Sequence, residues 1–104
     1  MTQSTAVSGP DQMPPGLRHV RTTPEFTRAS TPAALRAAHR VAAGVWGRLR
    51  VLEGRVRLVF ETTPGSVHDV GAGESLDIPP QRAHRVEPGD CARFVVEFHA
   101  RPEN

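Results

Sequence analysis

Hydrophobic and polar residues alternate in two neighbouring runs near the middle of the chain. In the run Val45–Glu53, Leu49 and Val51 alternate with arginines, and in the run 55–61 three hydrophobic residues occupy every second position. A period of two residues is typical of strands with one buried face. Because Glu53-Gly54 separates the runs, the pattern predicts a β-hairpin. Its exposed face would carry four arginines, Arg48, Arg50, Arg55 and Arg57. Such a face could instead bind an anionic ligand.

Short strands are predicted along most of the remaining chain. Between them stand turn signals such as Pro64-Gly65 and the run Glu87-Pro88-Gly89-Asp90. Turns spaced roughly every ten residues indicate an all-β sandwich or small barrel. In the last predicted strand, Phe94, Val96 and Phe98 share one face, and Val95, Glu97 and His99 share the other. The predicted strands besides the hairpin are residues 17–22, 67–70, 75–78, 84–86 and 92–99.

Two segments before the hairpin have a different character. Residues 1–16 are rich in Ser, Thr, Gln, Gly and Pro and offer little to bury, which predicts a disordered N-terminal tail. The domain itself is then predicted to span residues 17–102. The segment 31–39 begins with a threonine suited to cap a helix and a proline suited to its first turn, and its alanines favour helix.

Composition narrows the class of protein. The chain has 104 residues and a formal net charge of +2, and all of its basic residues are arginine. These arginines are spread along the chain with only four Phe and one Trp among them, so the pattern does not favour a nucleic-acid interface. The single cysteine, Cys91, cannot form an internal disulfide, and no apolar run is long enough to cross a membrane. A cytoplasmic protein is predicted.

The stretch 73–84 is the strongest candidate for a site. It begins at Gly73, continues as a short alternating strand, turns at Pro79-Pro80 and reaches His84 four residues later. Proline fixes φ and removes a hydrogen-bond donor, so the strand must end at this corner. His84 therefore stands just past a rigid corner, which is a suitable way to aim an imidazole into a cavity.

This stretch resembles the second conserved motif of cupins, which are small jelly-roll β-barrels. Gly73, Pro79 and His84 occupy the positions of the motif's first glycine, its proline and its histidine. Gln81 stands where the motif has its second glycine, and Pro88 where it has asparagine.

The earlier segment 39–54 is similar to a narrower group, the cupin-like domains of the tellurite-resistance TehB N-terminus and of YeaR-like proteins. It has His39, a glycine a few residues on, Trp46-Gly47, and a hydrophobic strand that closes on Gly54. The resemblance covers roughly residues 14–102. It implies an all-β, single-domain cupin barrel in which 33–41 forms a strand, against its helix propensity. TehB proteins carry a methyltransferase domain after this module; none is expected in these residues, so methyl transfer is not carried over.

The resemblance also implies a metal site. Cupin metals usually bind three histidines and one carboxylate, but the close histidine pair of the first motif is missing here, where His39 stands alone. The predicted ligands are His39, His84 and Glu97, with His99 and His68 as alternatives for the third position. If Phe94, Val96 and Phe98 fill the barrel, Glu97 faces outward and cannot bind.

Two functions follow as hypotheses. In the first, zinc, nickel or iron at this site binds a small molecule or an oxyanion, and the resemblance implies a part in resistance to tellurite or to a related toxic or nitrosative stress. In the second, the histidines are structural and the domain is a non-catalytic binding or dimerisation module without metal. A homodimer is possible under both, and the sequence leaves open whether any reaction is catalysed.

Overall fold

The computed structural model describes residues 5–6, 11–61 and 65–102. Strands dominate this part of the chain, and its helical content is one short 3₁₀ helix, Ala33–Arg36. No helix within it is long and apolar enough to span a membrane. The strands are β1 (Thr5–Ala6), β2 (Arg18–Thr22), β3 (Phe26–Thr27), β4 (Val45–Glu53), β5 (Arg55–Phe60), β6 (Ser66–Gly71), β7 (Glu74–Ile78), β8 (His84–Pro88) and β9 (Arg93–Ala100).

The ladders of the described residues form two sheets rather than one closed barrel. The larger sheet has the order β1-β7-β4-β9-β2, with β3 also paired to β9, and the smaller has the order β6-β5-β8. All pairings are antiparallel except that of β1 with β7. From β4 to β9 the chain changes sheet at every connection except that between β5 and β6. The prediction of an all-β domain is confirmed.

The core lies between the two sheets and is built by the alternating residues of each strand. The larger sheet contributes residues such as Leu49, Ile78 and Phe94, and the smaller contributes residues such as Leu58 and Phe60, all of them essentially inaccessible to solvent. Burial of a side chain of this size stabilises the fold by about 1.5–3 kcal/mol. The hydrophobic faces predicted from the period of two are therefore the faces that meet in the core.

The predicted hairpin at Glu53-Gly54 is wrong. β4 pairs with β7 and β9, whereas β5 pairs with β6 and β8, so the two consecutive strands lie in opposite sheets and face each other across the core. Gly54 has a φ of 68°, and a Cβ on it would lie 2.9 Å from the backbone of Cys91. Gly54 therefore allows the connection between the two sheets to pack closely against the backbone of Cys91. The four arginines are accordingly divided between the sheets.

The strand predicted over residues 33–41 is also wrong. The chain forms the 3₁₀ helix after Pro32, closed by the bond from Leu35 N to the Pro32 carbonyl at 3.0 Å, and becomes extended at Ala37. Only His39 joins a ladder, as an isolated bridge to His84. Proline and alanine thus set the local structure of the first half of this segment, as their propensities favour.

Parts of the predicted disordered tail contact the domain. β1 pairs in parallel with the edge of β7, and Met13 N donates a hydrogen bond of 2.9 Å to Asp77 Oδ2. Asp11 forms an ion pair of 3.5 Å with Arg82. Residues 1–4 and 7–10 of that prediction lie outside the described residues. The segment 11–16 therefore lies against the outer side of the larger sheet, on which Asp77 is displayed.

Candidate functional site

The proline corner places His84 at the start of β8. β7 ends at Ile78, and after Pro79-Pro80 the chain adopts a φ of 59° at Gln81. This left-handed conformation is the one that glycine adopts at least cost, so the backbone here has the form that the cupin glycine would favour. The Gln81 N–H donates to the Val41 carbonyl at 2.8 Å, which ties the corner to the segment that carries His39.

His39 and His84, 45 positions apart in the chain, are held together by their own backbones. The His39 N–H donates to the His84 carbonyl at 2.8 Å, and the His84 N–H donates to the His39 carbonyl at 2.9 Å. Their ring centroids lie 5.4 Å apart, with the rings nearly perpendicular at 82°. The structure therefore brings together the two imidazoles that the sequence singled out.

His84 is held as a neutral ring in one tautomer. It is only 3% exposed, and its Nδ1 lies 2.9 Å from the Arg82 carbonyl. Burial lowers the pKa of His84, which the hydrogen bond to Arg82 and the charge of Glu61 oppose in part. A carbonyl only accepts, so Nδ1 carries the proton and Nε2 is left with its lone pair. The ring can accept a hydrogen bond or bind a metal through Nε2.

His39 presents a buried nitrogen without a partner. Its ring is half-buried, and Nδ1 has no hydrogen-bond partner among the described residues although solvent does not reach it. Buried polar atoms are nearly always paired, because an unpaired one costs about 1–3 kcal/mol. His39 therefore carries one buried polar atom that the described residues leave unsatisfied, close to the ring of a second imidazole.

A cavity of about 290 Å³ opens beside the two rings, between the sheets. Its wall is mostly hydrophobic, and the polar side chains on it are Arg21, Thr23, His39 and His84. Such an apolar cavity with a few convergent polar groups is the usual form of a small-molecule site. The hydrophobic wall includes Phe26, Leu35, Val41, Ile78, Val86, Val96 and Phe98.

A more open groove of about 720 Å³ adjoins this cavity. The two share part of their walls, namely Arg21, His39, Val41 and Phe98. The guanidinium of Arg21 lies 4.7 Å from the centroid of the Phe98 ring, in a cation–π contact. The groove carries four arginines in all, Arg18, Arg21, Arg40 and Arg101, and no acidic residue among its described lining.

Glu97, the third predicted ligand, is not brought to the two imidazoles. Phe94 and Val96 are buried in the core, so Glu97 projects from the opposite face of the larger sheet. There it pairs with Arg50 at 3.1 Å and with His99 Nε2 at 3.4 Å. His99 lies on that same outer face.

His68, the remaining alternative, lies in the smaller sheet. Its Nε2 is 2.9 Å from Ser66 Oγ, and its ring packs on Phe60, which also contacts the His84 ring. Phe60 thus stands between His68 and His84.

The described residues do not complete a metal site at the imidazole pair. No group of three His, Cys, Asp or Glu side chains in the described ranges is placed to hold a metal ion. Zinc and related ions are usually held by at least three protein ligands, so two imidazoles fall one ligand short. The arrangement fits a hydrogen-bonding site for a small molecule better than a resident metal.

The arginines of the groove were not singled out from the sequence. Arg18 and Arg21 belong to β2, an edge strand, while Arg40 and Arg101 lie in irregular segments. No motif or regular spacing connects them, because they meet only through the pairing of β2 with β9 and the bridge at His39.

Comparison with known proteins points to one family. A family model for the TehB-like domain matches residues 21–96. The protein called uncharacterized protein YeaR from Escherichia coli K12 is 29% identical over 101 residues, which cover 88% of this chain and 85% of YeaR.

Two crystal structures have similar folds. A protein from Escherichia coli K12 superposes with a TM-score of 0.80 at 29% identity, over 88% of this chain and 98% of that one. TehB from Haemophilus influenzae superposes with a TM-score of 0.75 at 27% identity, over 86% of this chain. The match covers 33% of the TehB chain, so it concerns one part of that larger protein.

Proposed function

This chain belongs to the TehB-like domain family, and on that premise we propose that it is a binding module for a small anionic ligand. The site is the cavity beside His39 and His84. The observation that carries the proposal is the apolar cavity beside the two imidazoles with Arg21 on its wall, because a guanidinium can donate hydrogen bonds to an anion.

The charge around the site supports an anion. Arg21 lies on the wall of the cavity, and further arginines lie in the adjoining groove without acidic residues among its described lining. Arginine binds oxyanions through its planar set of N–H donors. Since the family resemblance includes tellurite-resistance proteins, tellurite and nitrite are the first inorganic anions to test, together with small organic acids.

The test is a ¹H–¹⁵N NMR titration of the protein with each anion. Binding at the proposed site shifts the amide signals of His39, Val41 and His84 in a saturable way. The variant His84→Ala is expected to weaken this binding by about tenfold or more, since it removes a buried ring from the cavity wall that the ligand contacts. His99→Ala is the matched control, because it removes an imidazole from the opposite face of the larger sheet. Saturable shifts confined to other surfaces, or no shifts with any anion, would refute the proposal.

Metal binding by His39 and His84 is the second candidate, favoured by the two ring nitrogens that lack partners. It would need a third ligand that the described residues do not supply, so the proposed binding does not pass through a metal. Zinc, nickel and iron content of the purified protein, compared with that of His84→Ala, tests this candidate. Equal content in the two proteins would remove it, and so would a thermal stability unchanged by zinc.

A further inference from the structure

The arginines of this domain fall into two groups. Of the 13 basic residues, all arginine, most lie within ion-pair distance of a carboxylate in the described part of the chain, as Arg48 does with Asp77 at 2.7 Å. Those for which that part of the chain provides no carboxylate partner are Arg18, Arg21, Arg36, Arg40, Arg55 and Arg101.

The arginines without a carboxylate partner in the described part of the chain are concentrated in one place. Four of these six, Arg18, Arg21, Arg40 and Arg101, line the groove beside the cavity, and none of the arginines with a carboxylate partner does. All four are exposed. Like charges gathered on one surface repel each other, so such a group is stable at little cost only where water screens it or an anion binds it.

The groove and the cavity are chemically different neighbours that share part of their walls. They meet at Arg21, His39, Val41 and Phe98. The cavity side is walled by residues such as Phe26, Leu35 and Ile78, which offer no hydrogen bonds. An inorganic oxyanion satisfies Arg21 and the groove but leaves most of the hydrophobic wall of the cavity uncovered, whereas a neutral apolar molecule covers that wall alone.

We infer that the ligand is a small organic acid, with an apolar body that occupies the cavity and an anionic group that lies among the arginines of the groove. The inference rests on the proposed function and specifies its ligand. Arg21, stacked on Phe98, marks the boundary between the two parts. The cavity, at about 290 Å³, lies just below the usual range for ligand sites, about 300–1,000 Å³, so the apolar body is a short chain or a single ring.

The test compares four probes that differ in one property each. Hexanoate has both the apolar body and the charge, hexan-1-ol has the body alone, acetate has the charge alone, and hexylammonium has the opposite charge. Dissociation constants are measured by NMR titration at two salt concentrations. Hexanoate is expected to bind at least about tenfold more tightly than each of the others, because it alone gains from both apolar burial and ionic hydrogen bonds.

Two variants locate the anionic group. Arg18→Gln combined with Arg101→Gln is expected to weaken hexanoate binding by about fivefold or more and to reduce its dependence on salt, since two screened charges are removed. Arg57→Gln is the control, because that arginine is also exposed but lies in the smaller sheet, paired with Asp69. It should leave hexanoate binding unchanged. Both proteins are compared with the wild type by circular dichroism and thermal unfolding.

The outcomes separate this inference from the proposed function. Acetate or tellurite bound as tightly as hexanoate would overturn the inference and leave the proposed function in place. Hexan-1-ol bound as tightly as hexanoate, or hexanoate binding unaffected by the double variant, would overturn the inference as well. Absence of binding by every probe and every inorganic anion would overturn both.

Discussion

Two pairs of histidines in this domain have almost the same geometry and very different surroundings. The rings of His39 and His84 are 5.4 Å apart and nearly perpendicular, and the rings of His19 and His99 are also 5.4 Å apart at 72°. The first pair lies at the cavity between the sheets, and the second lies on the outer face of the larger sheet.

The difference is in what the neighbouring groups do. In the outer pair, His19 Nε2 lies 2.7 Å from Thr22 Oγ1 and His99 lies 3.4 Å from Glu97, which Arg50 also neutralises. In the inner pair, His39 Nδ1 is buried without a hydrogen-bond partner, and the arginines of the nearby groove have no carboxylate partner, in both cases among the described residues. Clustered histidines alone therefore do not identify a site. The cavity beside the inner pair is the better criterion, because Arg50 Nε in the outer cluster is also buried without a hydrogen-bond partner among the described residues, although it lies 3.1 Å from Glu97.

Removing one ring from each pair should change the free energy of unfolding by very different amounts. His84→Ala is expected to lower the free energy of unfolding by about 2–4 kcal/mol, because His84 is 3% exposed and the truncation leaves a cavity against Phe60. His19→Ala should change it by less than about 0.5 kcal/mol, as is usual for exposed positions. Urea denaturation of both variants measures the two values. Similar losses in both would show that the inner pair is no more embedded than the outer one.

The buried ring of His84 should also make the stability of the domain depend on pH. In the unfolded chain, His84 titrates near the ordinary histidine pKa of about 6.5. Burial lowers the pKa of His84 in the folded protein, so between these values the unfolded state binds more protons. The free energy of unfolding should therefore fall as the pH drops below about 6.5 and level off below the folded pKa. The effect is smaller than that of His84→Ala, because the protonated ring still fills its space.

Thermal unfolding of the wild type and of His84→Gln between pH 8 and pH 5 checks this. The variant should show a shallower decline with acid, since it lacks the titrating ring. A decline that is identical in the wild type and His84→Gln would mean that other groups, such as the acidic side chains, cause it.

The sequence predicts burial much better than it predicts pairing. The period of two in β4 and β5 correctly assigns Leu49, Leu58 and Phe60 to the core. The same pattern suits two neighbours in one sheet or two strands that face each other across a sandwich, so it cannot tell which partner a strand has. Glu53-Gly54 was interpreted as a hairpin turn, whereas Gly54 is needed for the close approach of the Cys91 backbone. That contact is set by the tertiary fold and leaves no local signal.

The candidate site likewise combines features that the sequence predicts with features that only the folded structure reveals. The proline corner and His84 were predictable, because proline acts locally and the histidine follows it in the chain. The position of Glu97 depends on which face of β9 enters the core. The alternation of Phe94 and Val96 with Glu97 indicates that Glu97 faces outward. The arginines of the groove could not be grouped in advance, since β2, the segment at residue 40 and the residues after β9 meet only in the folded domain.

Glu97→Gln separates the outer cluster from the cavity. The substitution keeps the shape of the side chain and removes the charge that pairs with Arg50 and His99, which should cost about 1 kcal/mol of stability for a partly buried pair. Ligand binding at the cavity, measured by NMR titration, should not change. Loss of metal or ligand binding in this variant would instead restore Glu97 to the site and remove the contrast between the two faces.

Gln81→Gly tests the corner that positions the inner pair, and its expected effect is the smallest. Gln81 has a φ of 59°, which costs a residue with a side chain about 1–2 kcal/mol, while its contacts to Val41 and Arg40 are made by the backbone and persist in glycine. Glycine loses more chain entropy on folding, so the net stabilisation should be about 0.5 kcal/mol. Gln81→Ala, which keeps the strain, should not stabilise the domain. Chemical denaturation of both variants measures the difference, and a destabilised glycine variant with an unaffected alanine variant would show that the corner is not strained. In that case the histidine would be positioned by the bridge between residues 39 and 84 alone, as the outer pair is positioned by its own ladder.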